Sequence, residues 1–244
     1  GTVNEYFNDV CTDVLGNVYA VGISSSEGSG NMDGIIIKFD NNLGILARKR
    51  YGGTNYDQFV DITIDSSGNI YVVGNTLSES SGGTTYGDAL IVKFDSSLNI
   101  LAKKRYGGTG EEMFSGVISD ASNNIYVVGQ TNSEGAGNYD ALIIKFDTNL
   151  NILARKICGG TGSDGFNSVA IDSSGYIYGT GFFSIGGTDG SGLVIKFDSS
   201  LNKVAAKVIN GSGSDWLPNI AFYNNNAYGV GNTASEGAGT TDAL

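Results

Sequence analysis

Twenty-five acidic residues, fourteen basic residues and no histidine limit the chemistry open to this 244-residue sequence. Without His there is neither a Ser-His-Asp triad nor a His-ligated zinc, and two cysteines cannot make a thiolate cluster. Cys11 and Cys158 stand at unrelated positions and read as small buried hydrophobes rather than as a disulfide. Carboxylate chemistry remains: paired acids could cleave a glycosidic bond or hold a divalent cation. The candidate ligand-binding acids are Glu27, Glu79, Glu134 and Glu236, which recur in Ser/Gly-rich strings such as SEGAG and SESSGG. Asp215 and Trp216 join them in the connection that leads into strand A of the fifth unit, a carboxylate beside the single tryptophan, whose ring could stack on a sugar or a partner side chain but more often plugs an irregular seam.

Recurrence weighs against catalysis. A glycosidase gathers unique acids, whereas most acids here return at equivalent positions, which implies a structural task. Asp65-Ser66-Ser67-Gly68-Asn69 resembles a calcium loop but lacks the 12-residue spacing and the terminal bidentate Glu, so it reads as a hairpin turn. Gly107-Gly108-Thr109-Gly110 opens no helix and is no phosphate cradle. The sequence therefore assigns no catalytic residue, no metal ligand and no cofactor. Calcium suits the acidic charge but is not the favoured reading.

The elements that position these residues follow from a repeat. Lys-Phe-Asp begins at Lys38, Lys93, Lys145 and Lys196, at intervals of 55, 52 and 51. A Tyr-x-x-Gly strand begins at Tyr19, Tyr71, Tyr126, Tyr178 and Tyr228. Units of about 52 residues thus start near 1, 53, 108, 160 and 211. In the second unit, strand A spans Phe59–Asp65, strand B Ile70–Asn75, strand C Asp88–Asp95 and strand D Ile100–Tyr106, with tight turns between A and B and between C and D. One such sheet cannot bury both faces, but radial stacking can. The prediction is an all-β chain, residues 1–244 forming a single β-propeller of five four-stranded blades. The last blade is incomplete, with strands A and B and a stub of C ending at Leu244. Completion by following residues is the preferred expectation, and an open edge there would allow self-association.

The string DALIVKFDSSLNILAKKRYGGTG, with IDSSGNIYVVGNT, resembles the bacterial and archaeal SBBP-type β-propeller repeat. The resemblance implies a scaffold of the kind found in large surface and secreted proteins, with strand A innermost and strand D at the outer edge.

All fourteen basic residues fall on strands C and D or their connection, as expected of an edge protected against strand pairing. The D-to-A and B-to-C loops, with the first residue of strand C, carry fifteen acids and no base, read mainly as a solvated face. A net charge of −11 argues against nucleic acid and anionic membrane, and no apolar run is long enough for a spanning helix. The leading expectation is a non-enzymatic extracellular or cell-surface scaffold or adhesion module that contacts a protein or glycan through its loop face. A lectin-like propeller is the alternative, weakened by the lack of a repeated loop tryptophan. A glycan-cleaving enzyme ranks third.

Overall fold

The computed structural model describes residues 5–26, 31–80, 87–184, 190–209, 215–223, 226–233 and 242–243. All regular structure among them is β. Sheet one holds β1 (Glu5–Thr12), β2 (Val18–Ser24), β3 (Asp33–Phe39) and β4 (Ile45–Tyr51). Sheet two holds β5 (Asp57–Ile64), β6 (Ile70–Thr76), β7 (Asp88–Phe94) and β8 (Ile100–Tyr106). Sheet three holds β9 (Glu112–Ser119), β10 (Ile125–Thr131), β11 (Asp140–Phe146) and β12 (Ile152–Cys158). Sheet four holds β13 (Gly165–Ile171), β14 (Ile177–Phe183), β15 (Ser191–Phe197) and β16 (Lys203–Ile209). Sheet five holds β17 (Asp215–Tyr223), β18 (Asn226–Thr233) and β19 (Asp242–Ala243). In each sheet, neighbours in sequence are neighbours in space. These meanders are the blades of a β-propeller, four with four strands and the fifth with three.

Two compact units divide the structure, where the sequence reading treats 1–244 as one domain. The first is Gly1–Ile125 with Asp147–Asn151, the second Tyr126–Phe146 with Ile152–Leu244. In the first, Tyr19, Val21 and Ile36 of sheet one share one buried cluster with Phe59, Ile70, Val72, Leu90 and Phe94 of sheet two. Phe59 meets Phe94 edge-on at 6.2 Å between ring centroids. In the second unit the equivalent pair, Phe166 and Phe197, repeats that geometry at 6.2 Å. Period-two alternation gives each sheet two apolar faces, which is why both Val72 and Val73 are fully buried.

The turns explain the repeated Asp. Asp65 Oδ1 accepts the backbone N–H groups of Ser67 and Asn69, both at 2.9 Å, and its Oδ2 accepts Asn69 Nδ2 at 2.8 Å and the Tyr71 hydroxyl at 3.2 Å. Asp95 repeats the backbone pattern in the C-to-D turn, at 2.9 and 2.8 Å. That second kind of turn carries an unusual residue: Leu43, Leu98, Leu150 and Leu201 all have φ of 63–64°. Leucine rarely adopts this left-handed backbone, which costs roughly 1–2 kcal/mol. Leu98, Leu150 and Leu201 are 2–3 % exposed, so burial offsets the strain.

Lys-Phe-Asp reads as three structural tasks. Phe94, Phe146 and Phe197 are core residues, and the Asp caps the turn. The Lys reaches the turn of the following sheet, with Nζ donating to the carbonyl of Ser96 from Lys38 (3.0 Å), of Thr148 from Lys93 (2.9 Å) and of Ser199 from Lys145 (2.9 Å). On the way it lies 5.1–5.4 Å from the ring centre of Tyr19, Tyr71, Tyr126 or Tyr178. The strand C lysines therefore link sheets, and since strand C is paired on both sides they do not lie on the edge that the sequence reading assigned to the basic residues.

Candidate functional site

The acids read as a solvated face sort differently in three dimensions. Asp33, Asp57, Asp88, Glu112, Asp140, Asp164 and Asp215 are all at most 2 % exposed, seven of the fifteen. A carboxylate survives such burial only when its oxygens are bonded, and most of these are. The acid at or just before the start of strand A donates its backbone N–H to the preceding sheet. Asp57 N reaches Met32 O at 2.8 Å, Glu112 N reaches Gly87 O at 3.0 Å, and Asp164 N and Asp215 N reach Tyr139 O and Gly190 O at 2.7 Å. Its side chain then turns back on the linker: Asp57 Oδ2, Glu112 Oε2 and Asp164 Oδ2 accept the N–H of Gly53, Gly108 and Gly160 at 3.0, 3.1 and 2.7 Å. The acid that opens strand C lies alongside, and Arg50 and Arg105 of strand D bind Asp33 and Asp88 at 2.7 Å. Asp140 takes the Ala136 and Gly137 amides instead, at 3.0 and 3.2 Å.

This joint accounts for the Gly-Gly handover between units. A Cβ on Gly52 would lie 2.0 Å from Asp33 Oδ1 and 2.7 Å from Asp57 Oδ2, and one on Gly159 would meet Asp140 and Asp164 at the same distances. The first glycine leaves room for two carboxyls, and the second donates an N–H to one of them. Burial raises the Asp164 carboxyl above its ordinary value, the Gly160 and Ser184 amides oppose that rise, and the charge of Asp140 adds to it. The chemistry of the joint is cohesion between sheets.

Glu79 and Glu134 sit at equivalent positions on separate sheets, each held by its own strand D. Glu79 accepts Lys103 Nζ at 2.6 Å and the Tyr51 hydroxyl at 2.7 Å, and Glu134 accepts Arg155 Nη1 at 2.6 Å. Partial burial alone would raise Glu79, but the ammonium and hydroxyl outweigh it and hold the carboxyl below its usual value. Glu27 and Glu236 lie outside the described residues. Asp215 and Trp216 do not form one site. Both belong to strand β17 rather than to the loop expected from the sequence, and alternation turns them apart. Asp215 is 1 % exposed and accepts the Thr233 hydroxyl, which removes it from any surface site, whereas Trp216 is 43 % exposed. The second unit also carries an open groove of about 580 Å³, lined by Phe183, Leu193, Val208, Lys156 and Lys203 among others.

Sequence reasoning missed a carboxyl pair on the strands A of sheets one and two. Strand A bulges between Phe7 and Asp9 in sheet one, between Phe59 and Asp61 in sheet two and between Phe166 and Ser168 in sheet four. Asp9 Oδ2 accepts the Ile62 N–H at 3.2 Å, and Asp61 Oδ2 accepts the Val117 N–H at 2.7 Å, so the position reaches to the next sheet each time. Burial, then a hydrogen bond with Asp9 and its charge, push the Asp61 carboxyl well up. Burial and the same two acids push the nearby Cys11 thiol up to about 12. Cys11 and Cys158 are both free. Among the described residues, no group of three or more His, Cys, Asp or Glu side chains is gathered as a metal site.

Residues 48–80 match the family model of the SBBP β-propeller repeat. That segment is an SBBP repeat. It runs from strand D of one blade through strands A and B of the next, and so contains the Gly52–Asp57 joint. The same motifs recur in the other units. No curated protein matches the chain. Among solved structures, the exo-β-1,3-galactanase of Phanerochaete chrysosporium, determined with galactose, is similar at a TM-score of 0.52 and 10% identity, over 91% of this chain and 55% of that one. An acylaminoacyl peptidase of Pyrococcus horikoshii matches at a TM-score of 0.49 and 10% identity, over 98% of this chain and 37% of that one. The chain thus spans about a third to just over half of the length of these structures, and the galactanase likeness shows the fold alone. No helix among the described residues is long and apolar enough to cross a membrane.

Proposed function

We propose that this chain is a non-catalytic binding module that acts outside the cell or on its surface, as a rigid scaffold offering the long-loop ends of its blades to a partner protein. A β-propeller repeat supports a binding or scaffold role. The observation that carries the finer reading is the fate of the repeated carboxyls. They are buried and bonded to the glycine linkers between sheets and to amides, hydroxyls and guanidinium groups of their own sheets, and thereby committed to cohesion. Trp216, exposed on strand β17, supplies an aromatic anchor of the kind enriched at protein contacts.

That same exposed ring supports a second reading, a lectin-like module in which it stacks on a sugar face. The test is to probe the immobilised chain against a glycan array and a panel of cell-surface and matrix proteins, with Trp216→Ala in parallel. The protein-binding reading expects a protein ligand whose affinity falls at least tenfold in the variant at unchanged melting temperature. Glycan binding with the same loss would move the assignment to the lectin. Release of sugar from any arrayed glycan would overturn the non-catalytic reading.

A further inference from the structure

The joint between sheets three and four lacks a filling that the joint between sheets one and two has. There, Tyr51 at the end of strand D lies beside Phe59 at 5.6 Å between ring centroids and sends its hydroxyl to Glu79. Lys103 completes the filling, its Nζ 5.5 Å from the centre of the Tyr51 ring and 2.6 Å from Glu79. Between sheets three and four each of the three is replaced: Cys158 stands for Tyr51, Gly186 for Glu79 and Ala206 for Lys103. The strand D arginines go as well, with Ile157 and Val208 at the positions of Arg50 and Arg105. A ring, a carboxylate and an ammonium are exchanged together for small or apolar groups. The groove of about 580 Å³ lies where they would stand, lined by Cys158, Ala206 and Val208.

Leu193 and Ile195, buried, and Ile157 and Phe183, half-buried, make the rest of its lining mostly apolar. From Lys203 to Val208 it follows β16 for about 17 Å at the rise of a strand residue, a length that suits an extended chain better than a compact ring. Two cations stand on this apolar surface. Lys203 takes the place of Ile45, Ile100 and Ile152 in the other sheets, and among the described residues no carboxylate pairs with Lys203 or Lys156. Both bear on one stretch of the groove: burial raises the Cys158 thiol, the two ammonium groups oppose that rise, and Asp140 adds to it.

We infer that this groove binds an amphipathic acid, with an unbranched alkyl chain along Leu193, Ile195 and Val208 and its carboxylate between Lys156 and Lys203. Small-molecule sites have this character, mostly apolar with a few polar groups that fix orientation. Each buried methylene adds affinity, and the two ammonium groups select an anion over an alcohol or a cation. The site makes no use of Trp216 and stands apart from the protein-binding reading.

Calorimetric titration of the 244-residue chain with sodium octanoate tests this, with octanol and octylammonium as neutral and cationic counterparts. Octanoate should bind at a single site, at least tenfold more tightly than octanol, and octylammonium should not bind. Lys203→Ile supplies the residue of the other sheets and should weaken octanoate about tenfold while leaving octanol unchanged. Cys158→Tyr restores the ring of the first joint and should abolish binding of both at an unchanged or higher melting temperature. Should Cys158→Tyr fail to fold, Ala206→Phe, at an exposed position of strand D, fills the groove instead. A chain that does not bind octanoate would overturn the inference. So would octanol binding as tightly as octanoate, or undiminished octanoate binding in the filled variant.

Discussion

Asp61 and the turn aspartates act on the pH dependence of the fold in opposite directions. The folded chain protonates Asp61 well above the ordinary carboxylate range, so the ionised form opposes folding. Stability from this group therefore rises as pH falls through its raised value and levels off below the unfolded one. The turn aspartates act with the opposite sign. Asp13, Asp95, Asp147, Asp172 and Asp198 are held below their usual value, chiefly by Asn or Tyr side chains and backbone amides. Their contribution is complete above the ordinary carboxylate value and disappears as pH falls through the lowered ones. Asp61→Asn keeps one carbonyl for the Val117 amide, leaves the Ile62 amide to Asp9 Oδ2, and removes the charge. It should raise the melting temperature at neutral pH by a few degrees, on the order of 1 kcal/mol, with the gain vanishing in acid. Thermal melts of both forms across pH check this. The pair escaped sequence reading because only two of five units carry it: the equivalents are Gly116, Ser168 and Asn219.

At the scale of the element, the C-to-D turn gives the sharpest contrast. Leu98→Asn relieves a left-handed leucine but empties a core position, and should cost about 2–4 kcal/mol. Leu43→Asn relieves the same strain where the side chain is exposed, and should stabilise the monomer by up to about 1 kcal/mol. Urea melts of the two variants should move in opposite directions, and a shared direction would contradict the role given to burial. The Asp-led hairpins were legible in the sequence because Asp, Gly and Asn mark turns by local chemistry. The leucine's task was not, since a backbone angle that only tertiary packing supports leaves no local signature. Gly52 belongs to the same class. Gly52→Ala drives a methyl into the Asp33 and Asp57 carboxyls, and should lower the melting temperature sharply while leaving the turns intact.

For the whole molecule, the period of the repeat carried most of the architecture, as one unit with two apolar faces has few ways to bury both. The acids were harder to read. Charge at a loop position ordinarily means solvent, and only the placement of two carboxyls around Gly52, Gly107 and Gly159 shows that they fasten one sheet to the next. A lone tryptophan reads more readily as the filler of an irregular seam than as an exposed ring, so neither the exposure of Trp216 nor its separation from Asp215 was legible, the loop expected there being strand. The account's central claim is that these buried carboxyls are joints and not a reactive site. Carboxylates kept for chemistry are held against stability, so neutralising them tends to stabilise a fold. Joints behave in the opposite way. The most direct measurement is the melting temperature of Asp57→Ala, since Asp57 accepts from Gly53, Thr76 and Ser78 and its own amide donates to Met32. The account predicts a fall of several degrees, corresponding to about 2–3 kcal/mol of lost bonds and stranded donors. An unchanged or higher melting temperature would contradict it.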